Sequence, residues 1–214
     1  MSNRLTGKVA AVTGGNQGIG RAIAEALGQA GADIVVADLD PNRSKDTVAA
    51  VEQLGRKALN VKVNVADGAD TKAMVDQVLK EWGKVDILVN NAGVTGNCPA
   101  KDLDLATWNR VLAVNQTGTL LCAQAAAARM ARSHGGSIVN LSSIYGLVAA
   151  PNRVAYSATK AAVIMMTKAL AVEWAGLGIR VNCVAPGYVE TPGTSELVEK
   201  GVIDLAALRR IASR

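Results

Sequence analysis

A chain of 214 residues is long enough to bury one sizeable hydrophobic core and lies near the upper size limit of a single domain. Half of its residues are apolar and 19% are charged, which excludes a disordered, highly charged segment. The net charge of +5 is spread along the sequence without a run of like charges, phenylalanine is absent, and only three Trp and three Tyr occur. These features argue against a nucleic-acid-binding protein, which uses a basic patch or stacking aromatic side chains.

The cysteines and the apolar segments indicate the compartment. The three cysteines lie far apart, with no Cys-x-x-Cys pair or Cys/His cluster, so neither a disulfide framework nor a metal site is expected; they are Cys98, Cys122 and Cys183. The amino terminus carries no apolar segment of signal-peptide length, and no run of about 18 apolar residues occurs. We therefore expect a cytoplasmic protein that binds neither a metal nor a membrane.

Short runs rich in Val and Ile alternate with longer Ala-rich stretches of helical period, which is typical of a parallel α/β sheet. Six strands are predicted, at Lys8–Thr13, Asp33–Asp38, Ala58–Asn64, Asp86–Asn90, Ser137–Ser142 and Arg180–Val184. The predicted helices are Gly18–Ala30, Arg43–Leu54, Ala69–Trp82, Leu105–Arg132 and Ala155–Trp174.

The predicted strands are apolar along most of their length, as expected when both faces of a sheet are covered. Right-handed crossovers then place helices on both sides, which gives a doubly wound parallel sheet, the Rossmann fold. No repeat, low-complexity tract or linker divides the chain, so residues 1–214 are predicted to form one domain. Such folds bind ligands at the carboxyl ends of their strands, where the motifs described next are found.

A glycine-rich turn follows the first predicted strand. Thr13 is followed in order by Gly14, Gly15, Asn16, Gln17, Gly18, Ile19 and Gly20. Glycines allow the backbone to turn tightly and to approach a pyrophosphate at the N-terminus of the next helix, where free amides and the helix dipole favour an anion. The spacing differs from G-x-G-x-x-G, because three residues separate Gly14 from Gly18. A turn without a ligand is the alternative interpretation.

Asp38 ends the second predicted strand, 18 residues after Gly20. This is close to the separation at which an acidic residue meets the adenosine ribose of a bound dinucleotide. A carboxylate there accepts hydrogen bonds from the ribose hydroxyls and repels a 2′-phosphate, and Asn16 and Gln17 offer no cation for that phosphate. The sequence therefore favours NAD over NADP, although an aspartate that simply opens a turn is also common.

Tyr156 and Lys160 lie four residues apart on a predicted helix, so their side chains share one face. A tyrosine that loses its proton near neutral pH needs its pKa lowered by roughly 3 units, or about 4 kcal/mol. A neighbouring ammonium and the charge of an oxidised nicotinamide both act in that direction. Ser143 supplies a hydroxyl for a substrate oxygen. An ordinary surface pair of tyrosine and lysine is the alternative.

Together these motifs resemble the short-chain dehydrogenase/reductase family, from Gly7 to about Thr191. The residues that carry the resemblance occur in the family's order: Thr13, Gly14, Gly18, Ile19 and Gly20, then Asn90, Asn91, Ala92 and Gly93, then Asn115, Ser143, Tyr156 and Lys160, and finally Pro186, Gly187 and Thr191. Ser143 is preferred over Ser142 because it lies thirteen residues before Tyr156, the usual family separation.

The resemblance implies a role for each of these residues. Tyr156 would be the general acid/base, Ser143 would orient and polarise the substrate oxygen, Lys160 would hold the nicotinamide ribose and lower the tyrosine pKa, and Asn115 would anchor a water in a proton relay. Asn90 and Ala92 would line the cofactor cleft. The other residues assigned to the cofactor are Asn16, Gln17, Asn64, Val65, Gly93, Pro186, Gly187, Val189 and Thr191, and also Asn91, whose amide we interpret as structural.

The resemblance further implies an enzyme that interconverts a secondary alcohol and its ketone with NAD, without a metal. A 3-oxoacyl carrier-protein reductase is the first alternative, and a noncatalytic nucleotide-binding protein of the same fold is the second. The pocket candidates, Ile144, Val148, Asn152 and Tyr188, suit a polyol, sugar, hydroxyacid or steroid about equally. A homo-oligomer, either a dimer or a tetramer, is expected.

The carboxyl-terminal part departs from the family pattern. Family members usually continue with another helix and a seventh strand, which leaves the strand at Arg180–Val184 as an open edge here. We expect either a longer polypeptide or an unusual truncation. Residues 187–214 are predicted to form a lid over the substrate, with a helix docked permanently on the core or on a neighbouring subunit as the alternative.

Overall fold

The computed structural model of the protein describes residues 4–191. Its centre is one six-stranded parallel sheet in the order β3-β2-β1-β4-β5-β6. The strands are β1 (Val9–Thr13), β2 (Asp33–Asp38), β3 (Ala58–Lys62), β4 (Ile87–Asn90), β5 (Gly136–Leu141) and β6 (Ile179–Val184). This order confirms the predicted doubly wound fold, and it places the point where the winding reverses between β1 and β4.

Helices cover both faces of the sheet. Successive residues of a strand point to opposite faces, and most of the strand residues on both faces are apolar. They are α1 (Gly18–Gln29), α2 (Lys45–Gln53), α3 (Gly68–Trp82), α4 (Leu105–Leu112), α5 (Gly118–Met130) and α6 (Val154–Trp174). One buried cluster joins the sheet to α3, α5 and α6, and a second joins its other face to α1 and α2. Val36 and Val35, neighbours in β2, belong to opposite clusters.

The predicted helix at Leu105–Arg132 is helical from Leu105 to Met130 in the structure. The sequence did not predict the π-helical turn within it, Ala113–Thr117, which separates α4 from α5. Asn115 lies in this turn and forms two hydrogen bonds with the backbone of Val94, accepting from its N–H at 2.8 Å and donating to its carbonyl at 2.8 Å. Insertions of this kind often occur at functional sites, because the widened turn changes the direction of one side chain.

A network of buried polar side chains connects β4 and β5 with α5 and α6. The Asn90 amide donates to the Asn140 side-chain oxygen at 2.9 Å and to the Thr119 carbonyl at 3.2 Å. Asn140 in turn donates to the Thr167 hydroxyl on α6 at 2.9 Å. Asn90 is therefore held between β4, β5 and α5, and its amide is bonded in the interior rather than in the predicted cofactor cleft.

The last described strand, β6, pairs with β5 alone and forms one edge of the described sheet. The predicted lid at residues 187–214 lies outside the described residues beyond Thr191. The lid therefore stays a prediction.

Replacing Asn140 with alanine is expected to destabilise the fold by about 2 to 4 kcal/mol, because it removes one hydrogen bond each from the buried side chains of Asn90 and Thr167 and leaves a cavity. Urea unfolding measures the change. The exposed Asn109→Ala, on α4, is the control and is expected to stay within about 0.5 kcal/mol of wild type. A loss below 1 kcal/mol for Asn140→Ala would contradict the importance of this network.

Candidate active site

The glycine turn after β1 is packed so closely that side chains are excluded from it. Gly14 has a φ of +64°, and a Cβ there would lie 2.9 Å from Cα of Ala92. A Cβ on Gly20 would lie 2.1 Å from the carbonyl oxygen of Gly14. Helix α1 begins at this turn, and the Gln17 side chain makes no capping hydrogen bond, whereas Asp67 caps α3. The first turn of α1 therefore offers backbone amides to an anion such as a pyrophosphate.

Thr13 and Asn91 fasten the ends of β1 and β4 together. The Thr13 hydroxyl accepts hydrogen bonds from the backbone N–H groups of Asn91 and Ala92, at 3.1 and 3.2 Å. The Asn91 side chain donates to the carbonyls of Thr13 and Gly14, at 3.0 and 2.9 Å. This geometry supports the structural interpretation of Asn91, although the residue also borders the reaction cavity described below.

Asp38 lies at the carboxyl end of β2, directly beside the glycine turn. Its carboxylate accepts from the backbone N–H of Asn16 at 3.4 Å and of Asp40 at 3.3 Å. On the neighbouring strand end, exposed Asn64 uses its side-chain oxygen to accept from Ala66 N–H at 3.1 Å, while Val65 is buried. The structure thus brings the predicted adenosine-side residues to one edge of the sheet.

Arg43 is a residue of this region that the sequence analysis missed. Its guanidinium donates to the side-chain oxygen of Gln17 at 2.7 Å, so a cation lies beside the glycine turn. The cause is a short 3₁₀ turn, Pro41–Ser44, capped by Asp40, which bends the chain back after β2. The pairing joins residues 26 positions apart, and no local spacing rule reports it.

The proposed reacting groups border a single cavity of about 170 Å³. Its lining includes Ile19 from the glycine turn, Ser143 from the end of β5, and both Tyr156 and Lys160 from α6. Asn91, Gly93, Pro186 and Gly187 also line it, whereas Asn90 does not. The cavity therefore joins the nucleotide-binding turn to the tyrosine and serine hydroxyls.

Lys160 is almost fully buried, with 4% of its surface exposed. Its ammonium donates to the Leu141 carbonyl at 2.7 Å and lies 5.6 Å from the centre of the Tyr156 ring. Burial lowers the pKa of Lys160 to about 8, against an ordinary value of 10.5. The charged form of Lys160 is therefore less favoured than that of an exposed lysine.

Burial also governs Tyr156, and it raises the pKa of that hydroxyl above its ordinary value. A hydrogen bond from Ser143 and the positive charge of Arg153 act in the opposite direction. The lowering of the Tyr156 pKa by Lys160 that the sequence predicts is not seen in this structure, where the Lys160 ammonium is bonded to Leu141 and lies over the ring. Positive charge bound beside the hydroxyl would lower the pKa in the same way as Arg153.

Asn115 lies behind this pair. In addition to its bonds with Val94, its amide donates to the Thr159 hydroxyl at 3.2 Å, and that hydroxyl donates to the Tyr156 carbonyl at 2.8 Å. Gly93 lies close to Asn115 and Lys160: a Cβ added at Gly93 would be 3.3 Å from the Asn115 side-chain oxygen and 3.7 Å from the Lys160 ammonium. Asn115 is therefore connected to the helix that carries Tyr156 and Lys160.

The segment after β6 returns to the same cleft. Ile144 N–H donates to the Pro186 carbonyl at 3.0 Å, next to Ser143. The Thr191 side chain lies near the glycine turn, because a Cβ on Gly18 would be 3.6 Å from its Cβ. Val189, between them, is 41% exposed. The residues predicted to bind the nicotinamide thus face the residues predicted to bind the pyrophosphate.

The three tyrosines of the chain meet on the substrate side of the site, which the sequence analysis did not foresee. The hydroxyls of Tyr145 and Tyr188 are hydrogen-bonded, and their rings meet edge to face at 6.2 Å. The Arg153 guanidinium lies 5.4 Å from the centre of the Tyr145 ring and donates to the Asn97 side-chain oxygen at 2.6 Å. None of the four predicted pocket residues, Ile144, Val148, Asn152 and Tyr188, lines the cavity; Tyr188 belongs to the tyrosine pair, and both it and Val148 are exposed.

Comparison with known proteins establishes the family. The chain belongs to the short chain dehydrogenases, whose family model matches residues 8–201. It is 41% identical to 2-(S)-hydroxypropyl-CoM dehydrogenase 3 of Xanthobacter autotrophicus, over 92% of this chain and 77% of that protein. It is 40% identical to a 3-oxoacyl-acyl-carrier-protein reductase of Thermotoga maritima, over 92% and 80%. The crystal structure of an NAD⁺-bound xylitol dehydrogenase superposes with a TM-score of 0.84 at 34% identity, over 86% and 72%.

Two further observations concern the described residues. Between residues 4 and 191, no helix combines the length and the apolar character needed to cross a bilayer. Over the same range, no group of three or more His, Cys, Asp or Glu side chains is close enough together to hold a metal ion.

Lys160→Met is expected to change how stability depends on pH. Between pH 8 and 10.5 the unfolded wild type binds more protons than the folded form, because burial lowers the Lys160 pKa, so wild-type stability rises with pH there. The variant lacks this rise, so its free energy of unfolding relative to wild type should fall by about 2 to 3 kcal/mol between pH 7 and pH 10. Urea unfolding at both pH values measures this difference. The exposed Lys168→Met, on the same helix, is the control, and an equal pH trend in both variants would contradict the assignment.

Proposed function

We propose that this chain is an NAD-dependent dehydrogenase that interconverts a secondary alcohol and its ketone. One observation carries the proposal: Ile19 of the glycine turn borders the same cavity as Ser143, Tyr156 and Lys160. A nucleotide-binding turn and a set of proton-transfer groups are thereby brought to one place. The family comparison supports oxidoreduction at a CH–OH group, and the names of the relatives include both dehydrogenases and a reductase.

The residues of the cavity divide the chemistry between them. Bound nicotinamide would accept or supply the hydride. The Ser143 hydroxyl would hold the substrate oxygen, and Tyr156 would remove the alcohol proton as the carbonyl forms, or return it in the reverse direction. Lys160 would bind the nicotinamide ribose, and its ammonium would stabilise the tyrosinate electrostatically. Asn115, tied to the backbone of Val94, would hold a water that connects Lys160 with solvent.

The positive charge of an oxidised nicotinamide is well suited to the electrostatics of Tyr156. Burial raises the pKa of Tyr156, while the hydrogen bond from Ser143 and positive charge near the hydroxyl lower it. Oxidised nicotinamide, if bound beside this hydroxyl, would supply a positive charge that the reduced form lacks. Tyr156 would then more readily hold the negative charge when it acts as a base and the proton when it acts as an acid.

The two alternatives make different demands on the site. A noncatalytic nucleotide-binding protein would not require Ser143, Tyr156 and Lys160 in one cavity, and their convergence favours the enzyme. A 3-oxoacyl carrier-protein reductase remains a second candidate, because the Arg43 guanidinium beside Gln17 could meet the 2′-phosphate of NADPH. Asp38, at the same edge, favours NAD.

We also place the protein in the cytoplasm as a homo-oligomer, in the form of a dimer or tetramer. Its three cysteines are free, as suits a reducing compartment. Met165 and Val172, which are two turns apart on α6, are 63% and 82% exposed, and apolar side chains of this size are commonly covered by a second subunit.

Tyr156→Phe is expected to lower kcat at least about 100-fold on the best secondary alcohol found, because it removes the proton carrier and keeps the ring. NADH binding, followed by fluorescence, should stay within about threefold of wild type. The neighbouring Ser157→Ala removes a buried hydroxyl that has no hydrogen-bond partner and serves as the matched control with normal turnover. Near-normal turnover by Tyr156→Phe would overturn the proposed chemistry.

NADH should bind at least about tenfold more tightly than NADPH, because the 2′-phosphate meets the Asp38 carboxylate. Asp38→Asn should narrow the difference by improving NADPH binding, and Arg43→Gln should widen it by removing the one cation at Gln17. Fluorescence titration of both reduced cofactors measures these affinities. Equal affinities in wild type, or a ratio unchanged by Asp38→Asn, would remove Asp38 from this role.

A further inference from the structure

The side chains around Arg153 offer more hydrogen-bond donors than acceptors. Arg153 uses one N–H of its guanidinium for the Asn97 oxygen, and a guanidinium carries five. In the Tyr145–Tyr188 pair, one hydroxyl donates to the other, so the second proton is left for another acceptor. Within residues 4–191, no carboxylate forms an ion pair with Arg153.

This group of four residues adjoins the reacting centre. Arg153 precedes Tyr156 by three residues at the start of α6, which places the two side chains about one helical turn apart. Tyr145 follows Ser143 by two residues, and Tyr188 follows the cavity residue Gly187. Burial raises the pKa of both Tyr145 and Tyr156, and the charge of Arg153 acts against this rise in both, which agrees with its position near the two hydroxyls.

We propose that Arg153, together with the Tyr145–Tyr188 hydroxyl pair, binds an anionic oxygen group of the substrate. The preferred substrates are then alcohols that carry an oxyanion a few bonds from the carbinol, as hydroxy acids do, rather than neutral polyols. A planar oxyanion accepts two parallel hydrogen bonds from a guanidinium, and it supplies the acceptors that this group of side chains lacks. This inference rests on the proposed function, because it names the substrate class of the same site.

Charge makes the assignment specific. A neutral polyol brings as many donors as acceptors and leaves the half-buried guanidinium uncompensated, while a cationic alcohol is repelled by Arg153 and Lys160. The hydrogen bonds of Arg153 and of the tyrosine pair lie at the exposed mouth of the cleft, so the attraction depends on direct charge-assisted hydrogen bonds between the guanidinium and the oxyanion. The alternative is that Arg153 only fastens the loop at Asn97 to the start of α6.

The test compares hydroxy acids with their neutral carboxamides. The probes are 3-hydroxybutanoate, 4-hydroxypentanoate and cis-4-hydroxycyclohexanecarboxylate, each paired with its amide, and kcat/KM is measured with NAD. Wild type should prefer the acid at least about tenfold in the best pair, as expected for charge-assisted hydrogen bonds. Arg153→Gln should lose this preference: the kcat/KM for the acid should fall at least about tenfold more than the kcat/KM for the amide, which falls only through the lost effect of the Arg153 charge on Tyr156. Arg153→Lys should retain part of the preference, and the exposed Arg110→Gln should retain all of it.

Two further measurements separate binding from structure. Calorimetric titration of the acid and its amide in the presence of NADH should show the same preference without turnover. The preference should be constant from pH 6.5 to 9.5, because arginine stays protonated, whereas recognition by the Lys160 ammonium would weaken above pH 8.

The proposal is overturned if no pair shows a preference for the acid in kinetics or calorimetry. It is also overturned if Arg153→Gln lowers the acid and amide values equally, as a purely structural arginine would, or if the preference falls above pH 8. Turnover of the amides without preference for the acids would refute this inference and leave the proposed dehydrogenase intact. Absence of NADH binding and of all alcohol oxidation would refute the proposed dehydrogenase function. In that case, calorimetric comparison of the acid with its amide, repeated without NADH, would still decide whether Arg153 binds an oxyanion.

Discussion

The whole site depends on how closely the ends of β1 and β4 approach each other. No side chain fits between Gly14, Gly20 and the backbone at Ala92, and the reciprocal bonds of Thr13 and Asn91 hold these segments at that distance. In a doubly wound sheet this is the place where helices leave in opposite directions and a crevice opens. The same contact therefore positions the first turn of α1 and starts the loop that carries Gly93 toward Lys160.

Burial of the Lys160 side chain is energetically unfavourable. Lys160 loses hydration and gains one carbonyl partner, and its lowered pKa shows that the balance is unfavourable for the charged form. The rest of α6 compensates for this cost by packing. Leu170 of α6 and Ile179 of β6 both belong to the larger apolar cluster, and the Thr167 hydroxyl of α6 accepts a hydrogen bond from Asn140. Stability built elsewhere in the helix thus maintains an unfavourable group where the proposed chemistry uses it.

The sequence predicted the elements that depend on local pattern. The alternation of apolar strands with Ala-rich helices predicted the parallel sheet. The glycine turn, Tyr156 and Lys160 were identified because their spacings in the sequence are short and fixed. Features that depend on tertiary contacts were missed. The π-helical turn is stabilised by the bonds of Asn115 to Val94, 21 residues away, and Arg43 reaches Gln17 only because a 3₁₀ turn reverses the chain. The Tyr156 pKa was expected to fall on the basis of a neighbouring charge, whereas burial, which sequence does not report, raises it.

The charges of the cleft are arranged unequally along its length. At the end proposed for the adenosine, Asp38 accepts from the Asn16 N–H and Arg43 donates to the Gln17 side chain, so one charge of each sign lies beside the glycine turn. At the reacting end, Lys160 and Arg153 lie around Tyr156, and no carboxylate pairs with either of them among the described residues. An excess of positive charge in a partly buried region stabilises any anion that forms there, whether tyrosinate, alkoxide or a substrate oxyanion. One arrangement can therefore serve both tasks proposed for this site, because the charge that favours ionisation of Tyr156 also favours a negatively charged substrate beside it.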